Sequence, residues 1–166
     1  MAAGSDGWTI WLAERGPALL LFARQWLPVP ADAEDAVQEA FVRFWRSRHK
    51  AADPAAYLYA CVRSCALDRR RGERRRTRRE EAAARPETEP SWFNGTLEEN
   101  ERRQALESAL RRLPEEQRSV LVLKVWGGLS FVQIAEALGI LANTAASRYR
   151  YGLAKLREQL TKESIR

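Results

Sequence analysis

The chain has 166 residues and a net charge of +6, and nearly half of its residues are apolar. This composition excludes a disordered chain, and the length suits one medium domain or two small helical ones. No apolar run approaches the roughly 18 residues that a membrane span requires, so we expect no membrane insertion and no secretory signal. With one His and two Cys, we expect no metal site, no cofactor and no disulfide, and the two Cys as small core residues.

The positive charge is concentrated in one tract, residues 69–79, with the sequence RRRGERRRTRR. Its eight Arg and one Glu contribute +7, so the rest of the chain carries −1. Basicity confined to one place predicts that a polyanion binds there. Nucleic acid and an anionic membrane surface are the two candidates.

Apolar residues spaced by three and four predict three helices in the N-terminal half. The first covers residues 8–26. The second covers residues 32–47, with Asp32 as its N-cap and acidic residues in its first turn. After a polar loop, Asp53 caps a third helix that has Pro54 at its first position and runs into the Arg tract.

Residues 80–100 are rich in Glu, Ala, Pro, Ser and Gly, which predicts a flexible linker. Trp92 and Phe93 are its aromatic residues, and we expect them to dock on a domain or on a partner. A second set of apolar-striped helices follows on both sides of Pro114. The fold class is therefore all-α, with two small helical domains, and the linker should allow more than one arrangement of them.

A helix-turn-helix is predicted near the C-terminus. Residues 130–133 fit the S-x-x-[EQ] capping box, and Gly139 stands where a helix ends with a left-handed residue. Ile140 and Leu141 are apolar and suit the turn between two helices. Asn143 is the predicted cap of the second helix. A short capped helix, a glycine turn and a second helix form this motif.

The second helix of the motif carries polar and basic residues in its first turns, the part of a recognition helix that reaches base edges. Arg can bond guanine, whereas Ser, Thr and Tyr can bond phosphates. The candidate DNA contacts are Thr144, Ser147, Arg148, Tyr149 and Arg150. An ordinary helical hairpin with a solvated face is the alternative, which the Ser cap, the glycine turn and the Arg residues together disfavour.

Both halves resemble one family. Residues 32–41 (DAEDAVQEAF) are similar to its D-A-E-D-x-x-Q-E-x-F helix, and residues 57–59 (YLY) stand where it has W-L-Y. Residues 113–118 (LPEEQR) match L-P-x-x-x-R, residues 128–135 (GLSFVQIA) match G-L-S-x-x-E-I-A, and residues 143–148 (NTAASR) stand on G-T-V-K-S-R. The family is that of bacterial RNA polymerase sigma factors, of the compact extracytoplasmic-function (ECF) type.

The resemblance implies roles for the N-terminal half. Asp35, Gln38 and Glu39 would contact the clamp helices of the largest subunit of core RNA polymerase; the alternative is that they are only a solvated face. The next helix would capture and melt the −10 promoter element, because aromatic faces stack on unpaired bases and Arg neutralises phosphate. The residues assigned there are Tyr57, Tyr59, Arg63, Arg69, Arg70, Arg71, Arg74 and Arg75. Core packing is the alternative for the tyrosines, and we expect one of the two to be core.

The same resemblance divides the chain into a region 2-like domain (residues 1–79), a linker (80–100) and a region 4-like domain (101–166) that recognises the −35 element. It implies a cytoplasmic protein that binds core polymerase and promoter DNA and directs transcription initiation, without being an enzyme. Anti-sigma factors are common partners in the family, although the sequence identifies none.

The chain departs from the family pattern at several positions. Ser64 replaces a usual Asn, Gln133 a usual Glu, Ala145 a Val and Ala146 a Lys. The loop of residues 47–56, which selects a −10 base in the family, is short. The promoter sequence is therefore not carried over.

Two other functions are the alternatives to this assignment. A free-standing helix-turn-helix regulator would bind duplex DNA without polymerase, and it would not need the acidic helix or aromatic residues beside an Arg tract. An enzyme would need a nucleophile, phosphate-loop or metal motif, and the sequence contains none.

Overall fold

A computed structural model describes residues 5–79, Trp92 and residues 100–165. Over these ranges the chain forms seven α-helices and a short 3-10 turn at Arg48–Lys50. The helices are α1 (Ser5–Ala23), α2 (Pro30–Ser47), α3 (Pro54–Arg79), α4 (Asn100–Arg111), α5 (Glu115–Val125), α6 (Phe131–Leu138) and α7 (Ala142–Ser164). The predicted all-α fold is confirmed for this part of the chain. None of the described helices is both long and apolar enough to cross a bilayer.

Helices α1, α2 and α3 pack on one another. The buried face of α2 consists of Ala33, Ala36, Ala40 and Phe44. The three small side chains let the neighbouring helices approach closely, while the single aromatic ring fills the remaining space. The polar residues of α2 are left on the opposite face.

The start of α3 is confirmed and the start of α2 is corrected. The Asp53 Oδ1 atom accepts the Ala56 N–H at 3.0 Å and caps α3. Asp32 is not a cap, because α2 begins at Pro30 after an extended Val29. Proline presets the helical φ at the first position, so Asp32 lies inside the first turn, where its charge is favourable to the helix dipole.

Cys61 and Cys65 are buried free thiols, as predicted for small core residues. Burial raises the pKa of the Cys65 thiol to about 11, against the opposing effect of the Arg43 charge. The thiol therefore stays protonated at neutral pH and behaves as a small apolar group.

The predicted first helix and turn of the helix-turn-helix are confirmed. The Gln133 N–H donates to Ser130 Oγ at 3.2 Å, and the Ser130 N–H donates to Gln133 Oε1 at 2.8 Å, which completes a capping box at the start of α6. Gly139 ends α6 with φ +66°, a left-handed conformation that strains any residue with a Cβ.

The start of α7 differs from the prediction. Its N-cap is Leu141, and Asn143 lies inside the first turn rather than capping it. Ile140 packs against the core as expected, whereas the Leu141 side chain is 76% exposed and does not fill the turn. The fully buried Ala145 occupies the inner face instead. Leu141 serves as the N-cap because its backbone is extended, and its side chain makes no capping hydrogen bond.

At Gly152, α7 lies close against α5. A Cβ at this position would lie 3.1 Å from Leu121 Cδ1 and 3.2 Å from Gln117 Cβ. We therefore expect Gly152→Val to lower the free energy of unfolding by about 1–3 kcal/mol, because both neighbours must be displaced. At Gly16 in α1, a Cβ would meet no described atom within 4 Å apart from its chain neighbours and the backbone of its own helix, so the same substitution should be neutral or slightly stabilising. Urea unfolding followed by circular dichroism measures both; equal losses would contradict the close approach.

Trp92 docks on the folded chain, as expected for a linker aromatic. The backbone N–H of Trp92 donates to Glu107 Oε2 at 2.9 Å, and the Arg111 guanidinium lies 4.1 Å from the centre of the indole ring. Trp92 also packs against both buried apolar clusters of the described chain, one of which contains residues from both halves. The other linker aromatic, Phe93, lies outside the described residues.

The two halves share one buried cluster. Helix α6 packs on α3, and α5 packs on α1. The cluster contains Phe22 and Val62 from the N-terminal half together with Leu123 and Ile134 from the C-terminal half, all completely buried. The domain boundaries remain a prediction, but in this structure the two halves form one closed body.

Candidate nucleic-acid and partner surfaces

The acidic face of α2 lies opposite its buried alanines. Asp35 and Gln38 are exposed, and Glu39 is partly exposed. Arg69 of α3 reaches this face, with its Nη1 atom 3.7 Å from Asp35 Oδ2 and its Nη2 atom 3.6 Å from Glu39 Oε2. Glu39 also pairs with Arg43 one turn along α2, at 2.8 Å. The three predicted polymerase contacts therefore share one accessible polar surface that two Arg side chains partly neutralise.

The two tyrosines of α3 have different environments. Tyr59 is 1% exposed, and its ring centre lies 5.4 Å from that of Phe22 in an edge-on contact. Burial raises the pKa of its phenol to about 12, with the Arg15 charge opposing. Its assignment as a −10 contact is therefore corrected: in this structure Tyr59 is a core residue, as expected for one of the pair. Tyr57 is half-buried beside Phe44 and remains a candidate.

The arginines assigned to −10 DNA fall into two groups. Those at the start of the tract face carboxylates: Arg70 Nη1 lies 2.9 Å from Glu115 Oε2, and Arg71 Nη1 lies 3.6 Å from Asp68 Oδ1. Arg69 faces the acidic surface of α2, and Arg63 lines a cleft between α3 and α6. Arg74 and Arg75, further along α3, are exposed to solvent. Arg74 and Arg75 are accessible to a phosphate, whereas Arg69 and Arg70 are each paired with a carboxylate.

The first turns of α7 place the predicted −35 contacts at different depths. Thr144, Ser147 and Arg148 are half-buried, and Arg150 is exposed. Arg148 Nη2 lies 3.7 Å from Glu116 Oε2 on α5, a weak pair because that carboxylate is 72% exposed.

Tyr149 packs edge-on against Phe131 of α6, with ring centres 5.6 Å apart, so part of its role is structural. Of the two arginines among the predicted −35 contacts, Arg150 is therefore exposed and Arg148 is half-buried.

A basic cluster was missed by the sequence reasoning. It consists of Arg46, Arg48, His49 and Lys50, at the end of α2 and in the 3-10 turn. Arg48 folds over the Trp45 ring, with its guanidinium carbon 3.6 Å from the ring centre. The available signal was the absence of acidic residues between Glu39 and Asp53.

Two family models match the chain. Residues 12–76 match Sigma-70 region 2, and residues 103–156 match Sigma-70, region 4. The "RNA polymerase sigma-E factor" of Streptomyces coelicolor is 32% identical over 91% of this chain and 84% of its own length. The "ECF RNA polymerase sigma factor SigL" of Mycobacterium tuberculosis is also 32% identical, over 76% of this chain and 73% of its own length.

Solved structures share the fold. The sigma factor RpoE of Bartonella quintana, in complex with the anti-sigma factor NepR, superposes with a TM-score of 0.68 over 93% of this chain and 96% of its own, at 23% identity. CnrH, in complex with the cytosolic domain of CnrY, gives 0.65 over 97% and 92%, at 22% identity. On the strength of both family models and of relatives that match along most of their length, the chain belongs to the sigma-70 family and is an ECF-type RNA polymerase sigma factor, a protein that directs transcription initiation.

Proposed function

We propose that this chain is a non-catalytic specificity subunit that binds core polymerase through α2 and contacts a two-element promoter through α3 and α7. The observation that carries the proposal is that α2 and α7 each present an accessible surface, and that these two surfaces have opposite charge. The acidic face at Asp35, Gln38 and Glu39 suits a basic protein partner, whereas the basic first turns of α7 suit DNA.

The −10 element would be bound by the region 2-like domain, residues 1–79. Half-buried Tyr57 offers an aromatic face for an unpaired base, and exposed Arg74 and Arg75 offer charges for phosphate. The basic cluster of residues 46–50 adds a second positive surface. Melting needs no nucleotide hydrolysis in this scheme, because binding of the single strand offsets the cost of unpairing.

The −35 element would be bound by the region 4-like domain, residues 101–166. The capping box and Gly139 fix the angle between α6 and α7, so α7 can enter the major groove with its N-terminal turns foremost. Arg148 and Arg150 are the proposed base or phosphate contacts, with Thr144 and Ser147 beside them. Ala146, where the family pattern has Lys, supplies no charge.

We also propose an anti-sigma partner for this chain. The RpoE structure from Bartonella quintana contains the anti-sigma factor NepR, and the CnrH structure contains the cytosolic domain of CnrY. The proposed site of action is the cytoplasm, where core polymerase and the chromosome are present.

Run-off transcription with core polymerase and sequencing of the 5′ ends tests the function. We expect discrete start sites preceded by two shared sequence elements, and none of them with core enzyme alone. Sequence-specific binding of the isolated chain to duplex DNA, with no effect on transcription by core enzyme, would instead favour a free-standing regulator.

A further inference from the structure

A pocket of about 220 Å³ lies where the chain that follows α1 meets the end of α4, the start of α5 and Trp92. Three of the residues that line it are arginines, namely Arg24, Arg111 and Arg118. None of the described residues that line it is acidic. The volume is below the roughly 300–1,000 Å³ of sites for drug-sized ligands, so the pocket suits a small molecule with negative charge.

The arginines of the pocket lie close to one another. Burial lowers the pKa of Arg24, and the Arg111 charge lowers it further, whereas the Glu107 charge opposes both effects. Glu107 also fixes Arg111, with its Oε1 atom 2.7 Å from Arg111 Nη2. Arg118 donates to the carbonyl oxygens of Arg111 and Gln25 at 3.4 and 3.3 Å, which are longer than the usual distance of about 2.9–3.0 Å. An anion between these guanidiniums would relieve the repulsion between Arg24 and Arg111.

Two uncharged polar atoms of the pocket residues are buried without a partner. Gln25 is 7% exposed, and its Nε2 atom donates to the Leu21 carbonyl at 2.8 Å. Its Oε1 atom is an acceptor with no hydrogen-bond partner among the described residues, and the donor Trp92 Nε1 is in the same situation. A buried polar group without a partner is costly. A ligand that both accepts and donates hydrogen bonds would satisfy both atoms.

We propose that this pocket binds a small molecule that carries a phosphate group and one hydroxyl. The phosphate oxygens accept hydrogen bonds from the three guanidiniums, whose planar forks match phosphate geometry, and from Trp92 Nε1. The hydroxyl donates to Gln25 Oε1. Hydrogen phosphate, which has its own O–H, and a short phosphate monoester with an alcohol group share this chemistry. No lining residue belongs to the proposed polymerase or DNA contacts, so the site goes beyond the proposed function and does not depend on it.

Inorganic phosphate and sulfate are the first probes, because both are tetrahedral anions but only phosphate keeps an O–H at neutral pH. In calorimetric titrations of the full chain at constant ionic strength, we expect phosphate to bind at least tenfold more tightly than sulfate. The reason is that a site built to bond a hydroxyl rejects an analogue that lacks it. Equal affinities for the two anions, or binding of neither, would overturn the proposal.

Two monoesters distinguish the possible sources of the phosphate group. Glycerol 3-phosphate carries alcohol groups, and propyl phosphate has a similar length but none. If glycerol 3-phosphate binds more tightly than both propyl phosphate and inorganic phosphate, the site belongs to a monoester. If inorganic phosphate binds more tightly than both esters, the site belongs to free phosphate.

Arg24→Gln tests the charge of the pocket and should weaken phosphate binding roughly tenfold or more. Arg112→Gln is the matched control, because it removes the same charge beside Arg111 at an exposed side chain that pairs with Glu163 and does not line the pocket. It should leave the affinity for phosphate unchanged. Equal weakening by the two variants would show only a general attraction between a basic chain and anions, and would contradict a site in the pocket.

Gln25→Met separates the hydrogen bond from folding, since it keeps the length of the side chain and all charges but removes the acceptor. We expect its affinity for phosphate to fall to that for sulfate, while sulfate binds as it does to the parent chain. A folding defect would instead weaken both anions alike. A Gln25→Met chain that still prefers phosphate would overturn the role of Gln25. These titrations use neither polymerase nor DNA, so their failure is distinguishable from failure of the proposed function.

Discussion

Joint reversal of two charges on α2, Asp35→Arg with Glu39→Arg, is expected to lower affinity for core polymerase by about 100-fold or more. Both carboxylates lie on the acidic surface proposed to contact the clamp helices. Reversal turns attraction into repulsion at two neighbouring points, which no rearrangement of exposed side chains repairs. The fold should survive, because the pairs that are lost, with Arg69 and Arg43, are exposed and worth about 0–1 kcal/mol each.

Glu34→Arg is the control for this double variant. Glu34 is exposed on the same helix, next to Asp35, but is not one of the three predicted polymerase contacts. It should retain most of the affinity in a fluorescence-anisotropy titration with core enzyme. Unchanged binding by the double variant, with its thermal unfolding intact, would remove the support for the proposed polymerase surface.

Loss of both basic side chains at the start of α7, Arg148→Ala with Arg150→Ala, is the second large effect. Each bidentate contact to a base is worth about 1–3 kcal/mol, so the loss of two such contacts should lower initiation roughly thirtyfold or more at a promoter that depends on the −35 element. If the two residues bind phosphates, the log–log salt dependence should lose about one unit for each. Initiation by holoenzyme at several salt concentrations separates these two kinds of contact.

Arg157→Ala is the control on α7. This exposed Arg lies about two turns beyond Arg150 on the same helix, past the part that a recognition helix presents to DNA. Its initiation rate and salt dependence should match those of the parent chain. Equal losses for Arg157 and for the Arg148/Arg150 pair would indicate only a general effect of positive charge.

Prediction of the fold from sequence succeeded where the signal was local. The capping box at Ser130–Gln133, the left-handed Gly139 and the Asp53 cap were all predicted, because each depends on a few residues within one turn. It failed at Asp32 and Asn143, where a cap-forming residue stands near a helix end. α2 begins at Pro30 instead, and Leu141 is the N-cap of α7. In both cases the extended backbone that leads into the helix decided where it begins, and the capping preference of the nearby Asp or Asn side chain did not.

The sequence predicted which residues belong to the candidate sites, but not the burial or the partners of each side chain. Tyr57 and Tyr59 are two residues apart, and only the packing against Phe22 makes Tyr59 a core residue. In the Arg tract, the sequence does not distinguish Arg70, which bonds Glu115 across 45 positions of the chain, from Arg75, which faces solvent. Partners so distant in the chain leave no periodic signal.

By itself the sequence determined the helical class, the helix-turn-helix, the family and the location of the basic tract, because these follow from apolar spacing, from caps and turns within a few residues, and from contiguous motifs. Only the tertiary structure decided that the two halves share a core and that Gln133 bonds Asp53. The physical reason is that association of two separately amphipathic units depends on how their surfaces complement each other. That complementarity joins residues 80 positions apart, and neither half shows it alone.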